Sequence, residues 1–72
     1  MNLRDNELFE RFREEQLREL ISYLIEEEQQ IAGEVIDHVR NENFTSASMS
    51  AGELEYCRAF RRRAERNLKS RS

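Results

Sequence analysis

The stretch LRELISYLIEEEQQIAGEVIDHV, residues 17–39, decides the fold of this chain. When each residue is turned by about 100° from the one before it, as in an α-helix, the apolar side chains collect on one side. They are Leu17, Leu20, Ile21, Leu24, Ile31, Val35 and Val39, with Ile25, Ala32 and Ile36 on one flank. Strand alternation fails because LRELISYLI would place apolar side chains on both faces. The pattern therefore predicts an amphipathic helix.

A run of five polar residues at 26–30 interrupts this stretch. It is either a turn between two helices or the solvent side of one continuous helix. The apolar stripe resumes at Ile31 in phase with Leu24, so we predict continuity, although Glu27 and Glu28 intrude on the apolar side. Gly33 costs about 1 kcal/mol inside a helix. A break near 29–33, which would give a three-helix bundle, is therefore the alternative.

The N-terminal residues extend the helical prediction to about residues 6–41. Leu8, Phe9 and Phe12 are apolar but lie at or outside the edge of the later stripe. Either the first two turns form a separate short helix, or these residues carry apolar surface for a different neighbour.

The next segment, at about 42–49, is rich in Asn, Ser and Thr and is predicted to be a loop, with Phe44 closing the end of the core. Ser50 and Glu53 have the spacing of a capping box, and Met49 and Leu54 that of a hydrophobic staple. We therefore predict a second helix over about 51–69 and a frayed tail at 70–72. Its apolar stripe is Leu54, Cys57, Phe60, Ala64 and Leu68.

A chain of 72 residues allows one domain, here a single helical domain over 1–72. A core of this size rarely contributes more than about 3–5 kcal/mol of folding stability unless a disulfide, a metal or a second subunit adds to it. One cysteine cannot form an internal disulfide. We therefore expect that oligomerisation supplies the additional stability. We expect a cytoplasmic protein, because the chain has a lone cysteine and no signal-peptide pattern follows Met1. We expect no membrane partner, because the chain lacks an apolar run of about 18 residues.

The two predicted helices differ in length, about 54 Å against about 28 Å at a rise of 1.5 Å per residue. Folded back, the second helix would cover only half of the first. We therefore expect an all-α helical hairpin that forms a homodimer, a helical bundle, through the uncovered apolar side. The interface residues would be Leu17, Leu20, Ile21, Leu24, Ile31 and Val35.

Charge is divided unevenly along the chain, whose net charge is −3. Residues 1–48 hold five arginines and twelve acidic residues, a net −7, whereas residues 49–72 hold seven basic and three acidic residues, a net +4. A basic ridge follows one side of the last helix, formed by Arg58, Arg62, Arg66 and Lys69. It can pair with the acidic helix in the same chain or in a partner, bind an acidic protein, or contact phosphates along a nucleic acid.

Catalytic and metal-binding patterns are weak. Glu34 and His38 are one helical turn apart and Cys57 could approach them, but no fourth zinc ligand is apparent. Cys57 with His38 lacks an orienting group for a thiol nucleophile. We therefore expect no enzyme, cofactor, metal or small-molecule substrate.

The sequence predicts a non-catalytic accessory or regulatory protein that acts by binding another protein, as an adaptor, inhibitor or assembly factor of bacterial or phage type. The alternative is a nucleic-acid-binding regulator that uses the basic ridge. Nucleic acid is less favoured because the whole chain is acidic and no aromatic residue interleaves the ridge for base stacking.

Overall fold

The computed structural model describes residues 3–71, with side chains from residue 7 onward. Over this part the chain forms three helices: α1 (Leu3–Glu10), α2 (Glu14–Arg40) and α3 (Phe44–Ser70). No strand occurs in the described range. The two long helices pack against each other as a hairpin, and α1 packs against α3. The prediction of an all-α helical hairpin is confirmed, whereas dimerisation stays a prediction.

The long helix is continuous through the polar run, as predicted. Residues 26–33 lie inside α2, and the alternative break near 29–33 is wrong. Gly33 is exposed in the helix, and a Cβ placed there would meet no atom within 4 Å. The stripe that resumes at Ile31 in phase with Leu24 keeps the packing against α3, which offsets the low helix propensity of the glycine.

The long helix does not begin near residue 6. A turn at 11–13 divides α1 from α2, so the alternative of a separate short helix is confirmed. Arg13 has extended backbone (φ −72°, ψ 160°), and its N–H donates to Gln16 Oε1 at 2.9 Å. The turn brings the fully buried Phe9 into the same core as Leu17. Burial of this aromatic ring is the gain that favours the break.

The connection between the long helices spans only 41–43, so the predicted loop over about 42–49 is wrong. The N–H of Asn43 donates to His38 O at 2.8 Å, and that of Glu42 to Val39 O at 3.0 Å. This pair of bonds is the Schellman arrangement that ends many helices. Its left-handed residue, usually glycine, is here Glu42, with φ of 58°.

The second long helix begins at Phe44, not at Ser50–Ala51 as the capping-box pattern predicts. Asn43 supplies the cap, since its side chain accepts a hydrogen bond from Ser46 N at 3.4 Å. Ala47 and Ser50 are buried on the inner side of α3. Their small side chains and this burial override the turn-forming tendency of the segment. The fold therefore uses as helix what local preference alone assigns to a loop.

Two further predictions about the ends of α3 are wrong. Phe44 does not close the core, because 62% of its surface is exposed. The predicted tail at 70–72 begins too early, because Ser70 is still part of α3; Arg71 caps the helix, and Ser72 lies outside the described residues.

The core lies at the end of the hairpin where α1 docks. It consists of Phe9, Leu17, Ile21 and Ala64, with Phe12, Leu20, Phe60 and Leu68 packed against it. The rings of Phe9 and Phe60 are tilted by 49° with centroids 5.4 Å apart, within the range of favourable aromatic pairs. All three helices thus meet in this core.

Arg71 fastens α1 to the end of α3. Its guanidinium donates to Phe12 O at 2.8 Å and to Phe9 O at 2.5 Å. Carbonyl groups at a helix C-terminus carry partial negative charge and lack partners within the helix. Arg71 gives a partner to Phe12 O, in the turn after α1, and a second one to Phe9 O, which also accepts from Phe12 N at 3.0 Å.

The two long helices are equally long, at 27 residues each, so the expected mismatch in length does not exist. α3 therefore packs along α2 rather than along half of it. None of the helices, over the described residues, combines the length and apolar content that crossing a bilayer requires.

Candidate protein-binding groove

An open groove of about 660 Å³ lies between α2 and α3, between the core and the connection of the hairpin. Residues one helical turn apart on each helix form its two walls. The lining residues are Leu24, Glu27, Ile31 and Glu34 from α2, and Gly52, Glu53, Tyr56, Cys57 and Phe60 from α3.

The groove combines an apolar surface with acidic groups. Leu24, Ile31 and Phe60 supply apolar surface, and Tyr56 stands at the margin with 64% of its surface exposed. All three charged groups in the lining are glutamates: Glu27, Glu34 and Glu53. Such a surface is complementary to an amphipathic partner of positive charge: its apolar part can pack against apolar side chains, and its glutamates can attract basic ones.

The groove adjoins the surface of the hairpin on which α1 packs. Phe60 is common to both, because its ring packs on Phe9 and also lines the groove. α1 thus covers one part of the α2–α3 surface, and the groove is the neighbouring part that the described residues leave open. The surface beside the groove is therefore one on which a helix, α1, packs.

The electrostatics of the groove are visible at Cys57, which is half-buried. Burial raises the pKa of the Cys57 thiol, and the negative charges of Glu28, Glu27 and Glu53 raise it further. The thiol is therefore protonated at neutral pH and is a poor nucleophile. The same negative potential favours a cationic ligand in the groove.

A cluster of charged residues links the helices at the middle of the hairpin. Glu28 is 9% exposed, and both of its carboxylate oxygens accept hydrogen bonds from Arg61. Arg61 also donates to both oxygens of Glu65 at 3.0 Å, and Arg58 lies 3.6 Å from Glu28. The hydrogen bonds from Arg61 lower the pKa of Glu28, although burial of the carboxylate acts to raise it. Arg61 in turn has a raised pKa, mainly because of Glu28. The pair explains why a glutamate intrudes on the apolar side of α2.

The predicted interface residues lie mostly inside the hairpin. Leu17, Ile21 and Leu24 are buried by the chain itself. Leu20, Ile31 and Val35 are half-buried. The expectation that Leu17, Leu20, Ile21 and Leu24 would be left open to water is therefore wrong. Two of the six, Leu24 and Ile31, line the groove.

The basic ridge is divided by the fold. Arg58 pairs with Glu28 and with Glu55, at 3.6 and 3.4 Å. Arg62, Arg66 and Lys69 are exposed, and within residues 7–71 no carboxylate lies within ion-pair distance of them. The expected pairing of the ridge with the acidic helix is thus found for Arg58 alone, and Arg61, at the edge of the ridge, makes the closer contact.

The metal and nucleophile candidates do not come together. Cys57 and Glu34 share the groove, whereas His38 is not among its lining residues. Among the described side chains, no group of three or more His, Cys, Asp or Glu residues could hold a metal ion.

Three residues of the groove, Gly52, Glu53 and Tyr56, are not predicted as site residues from the sequence. Glu53 belongs to the predicted capping box and is in fact one side of the groove, because α3 begins two turns earlier. The signal that could have found them is a second stripe on α3. Met49, Glu53, Tyr56 and Phe60 follow one another at helical spacing, and Met49 and Tyr56 are exposed.

No family model matches the chain, and no curated protein or solved structure is significantly similar to it.

Proposed function

We propose that this chain is a non-catalytic accessory protein that binds an amphipathic helix of another protein in the groove between α2 and α3. The supporting observation is the groove itself: apolar surface and three glutamates, next to the place where α1 packs. An adaptor, an inhibitor or an assembly factor would each use such a surface.

The adjoining α1 favours a helix as the ligand. It packs with one aromatic residue, Phe9, against Phe60 at the junction of the two sites. Amphipathic helices bind grooves through apolar side chains at helical spacing, with polar groups at the margins. A helix with leucine or phenylalanine towards Leu24 and Ile31 would extend the apolar contacts that α1 begins.

The three glutamates favour lysine or arginine at the flanks of that helix. Complementary charge speeds association and selects against acidic partners more than it adds affinity. Cys57 is a poor candidate for a catalytic nucleophile in the groove, because its pKa is raised and the thiol stays protonated.

A direct test uses two fluorescent helical peptides with the same leucine positions. One carries lysine and the other glutamate at the remaining charged positions. Fluorescence anisotropy should show that the lysine peptide binds and that the glutamate peptide does not. Tyr56→Ala should weaken the binding at least about fivefold, since exposed aromatic residues are frequent hot spots. Phe44→Ala, an exposed aromatic outside the groove, is the matched control and should leave binding unchanged.

Cys57 provides a second measurement, because it is the chain's one cysteine and lies in the groove. Bound lysine peptide should slow the labelling of Cys57 by a maleimide. Equal binding of the two peptides, or equal loss with Tyr56→Ala and Phe44→Ala, would overturn the proposal.

A second candidate function is nucleic-acid binding by Arg62, Arg66 and Lys69. The observation in its favour is that these three cations are exposed and without a carboxylate partner among the described side chains. Titration of labelled duplex and single-stranded DNA at two salt concentrations tests it. Binding that weakens with salt and disappears in Arg62→Ala/Arg66→Ala would support this candidate. Binding unaffected by these substitutions would exclude the ridge.

A further inference from the structure

A second apolar stripe runs along α2 outside the hairpin core. Ile25, Ile36 and Val39 are 40%, 52% and 48% exposed, and the half-buried Ala32 lies between them. With Gln29 they follow one another at spacings of four, three, four and three residues. This is the heptad spacing of a seam that packs against another helix. The stripe lies on the flank of α2 opposite Glu27 and Glu34, and therefore away from the groove.

No residue of this stripe is charged, in a helix in which charged residues are otherwise frequent. Single exposed apolar residues need no explanation, but three of them on one uncharged stripe over four turns indicate an interaction surface.

We propose that the stripe binds the same stripe of a second copy of this chain, with the two α2 helices antiparallel about a two-fold axis. In this register Ile25 lies opposite the partner's Ile36, and Gln29 lies opposite the partner's Ala32. Two-fold symmetry repeats both pairs, so Ile25 and Ile36 meet on both sides of the axis, while Val39 lies opposite the partner's Ser22.

The charges beside the stripe agree with the antiparallel orientation. Positions 19, 26, 33 and 40 flank it at seven-residue spacing and are Glu, Glu, Gly and Arg. Antiparallel packing places Arg40 next to the partner's Glu19, and Glu19 next to the partner's Arg40. All of these flanking positions are exposed in the single chain. A parallel pair would instead place these flanking positions on opposite sides of the seam, where Arg40 could not meet the partner's Glu19.

Gly33 lies at the middle of this flank, close to the proposed two-fold axis. A Cβ at this position would meet no atom of its own chain within 4 Å, so nothing within the hairpin requires glycine here. Ala32 and Gly33 are small, so apart from Gln29 little side-chain volume separates the two helices near the axis. The dimer leaves the groove open on the opposite side of each hairpin, and the inference is independent of the proposed function.

The test is the mass of the protein across micromolar concentrations, measured by sedimentation equilibrium. The wild type should form a dimer. Ile36→Glu should raise the dimer dissociation constant at least about tenfold, because it places a charge opposite the partner's Ile25. Circular dichroism should show unchanged helix content, since Ile36 is half exposed in the hairpin. Tyr56→Glu introduces the same charge at another exposed position, in the groove, and should leave the dimer intact.

A charge exchange tests the orientation separately from the apolar contacts. Arg40→Glu alone and Glu19→Arg alone should each weaken the dimer, and the double variant should restore it, because the pair is then reversed in both copies. A monomeric wild type would overturn the proposal. A dimer that Ile36→Glu leaves intact, or that the double variant fails to restore, would also overturn it.

Discussion

Arg61 of α3 donates to both carboxylate oxygens of Glu28 of α2, and one of these bonds, from Nη2 to Oε1, is 3.1 Å long. The contact joins residues 33 positions apart and lies at the middle of the hairpin. A planar guanidinium that binds a carboxylate through two nitrogens fixes both helices in rotation and in register. Glu65 and Arg58 complete the cluster, so that neither central charge is left without a partner.

Replacing Glu28 by glutamine should destabilise the hairpin by about 2 kcal/mol, because Arg61 then keeps its charge in a half-buried place without its main partner. The free energy of unfolding from urea titration measures this. Glu14→Gln is the matched control, since Glu14 makes an exposed i,i+4 pair with Arg18 and should change stability by less than about 0.5 kcal/mol. Equal effects of the two substitutions would show that the Glu28 pair acts as a surface pair.

The same pair predicts how stability depends on pH. The pKa of Glu28 is lowered in the folded chain, mainly by the hydrogen bonds from Arg61. The unfolded state therefore takes up the proton first, and the stabilisation from Glu28 is present above the ordinary glutamate pKa of about 4.3 and declines as pH falls below it. Urea unfolding between neutral pH and pH 3 should show the stability difference between wild type and Glu28→Gln shrinking as pH falls. A constant difference would contradict this prediction.

The continuity of α2 is predictable from sequence because it depends on one helix alone. The stripe from Leu17 to Val35 keeps its phase through residues 26–30, and this requires no knowledge of the neighbouring helix. The same periodicity shows that Glu28 intrudes on an apolar side. Its partner does not follow from periodicity, because the pairing depends on how long the connection between the helices is.

The start of α3 is where sequence reasoning fails, and the failure has a physical cause. Asn43, Thr45, Ser46 and Ser48 favour turns through local hydrogen bonds, and the capping-box pattern at Ser50 indicates a later start. In the structure Ala47 and Ser50 face α2, where their small size permits close packing. A tertiary contact thus decides a local choice. The shorter connection that results also sets which residues of α3 lie opposite Leu24 and Ile31, and hence the groove.

The position at which α1 packs on the hairpin cannot be predicted from sequence, for a related reason. Phe9 lies outside the stripe of α2 and reaches the core only because the chain turns at 11–13. Arg11, Phe12 and Arg13 contain neither glycine nor proline, so no residue type marks the turn in advance. The gain that favours it is the burial of an aromatic ring between two distant segments.

Glycine at position 42 should stabilise the protein. Glu42 has φ of 58° in the connection between α2 and α3, a region that costs a side-chain-bearing residue about 1 kcal/mol. We therefore expect Glu42→Gly to raise the free energy of unfolding by about 0.5–1 kcal/mol, despite the greater freedom of glycine in the unfolded chain. Glu42→Gln separates the backbone effect from the loss of charge and should leave stability nearly unchanged. A lower thermal midpoint for Glu42→Gly would contradict the left-handed geometry.

Loss of Arg71 should loosen α1 without unfolding the hairpin. The Arg71 side chain donates to the carbonyls of Phe9 and Phe12, and these are the contacts that tie the end of α1 to the end of α3. Arg71→Ala removes two charge-assisted hydrogen bonds at a partly exposed position, a loss of about 1 kcal/mol in the docking of α1. Hydrogen exchange should show faster exchange of amides over residues 7–12 and unchanged exchange at the centre of α2.

Arg66→Ala, which changes another exposed arginine near the end of α3, is the control and should change neither region. Uniformly faster exchange in Arg71→Ala would mean that α1 and the hairpin unfold together, whereas unchanged exchange over residues 7–12 would show that the Phe9–Phe60 contact alone holds α1 in place.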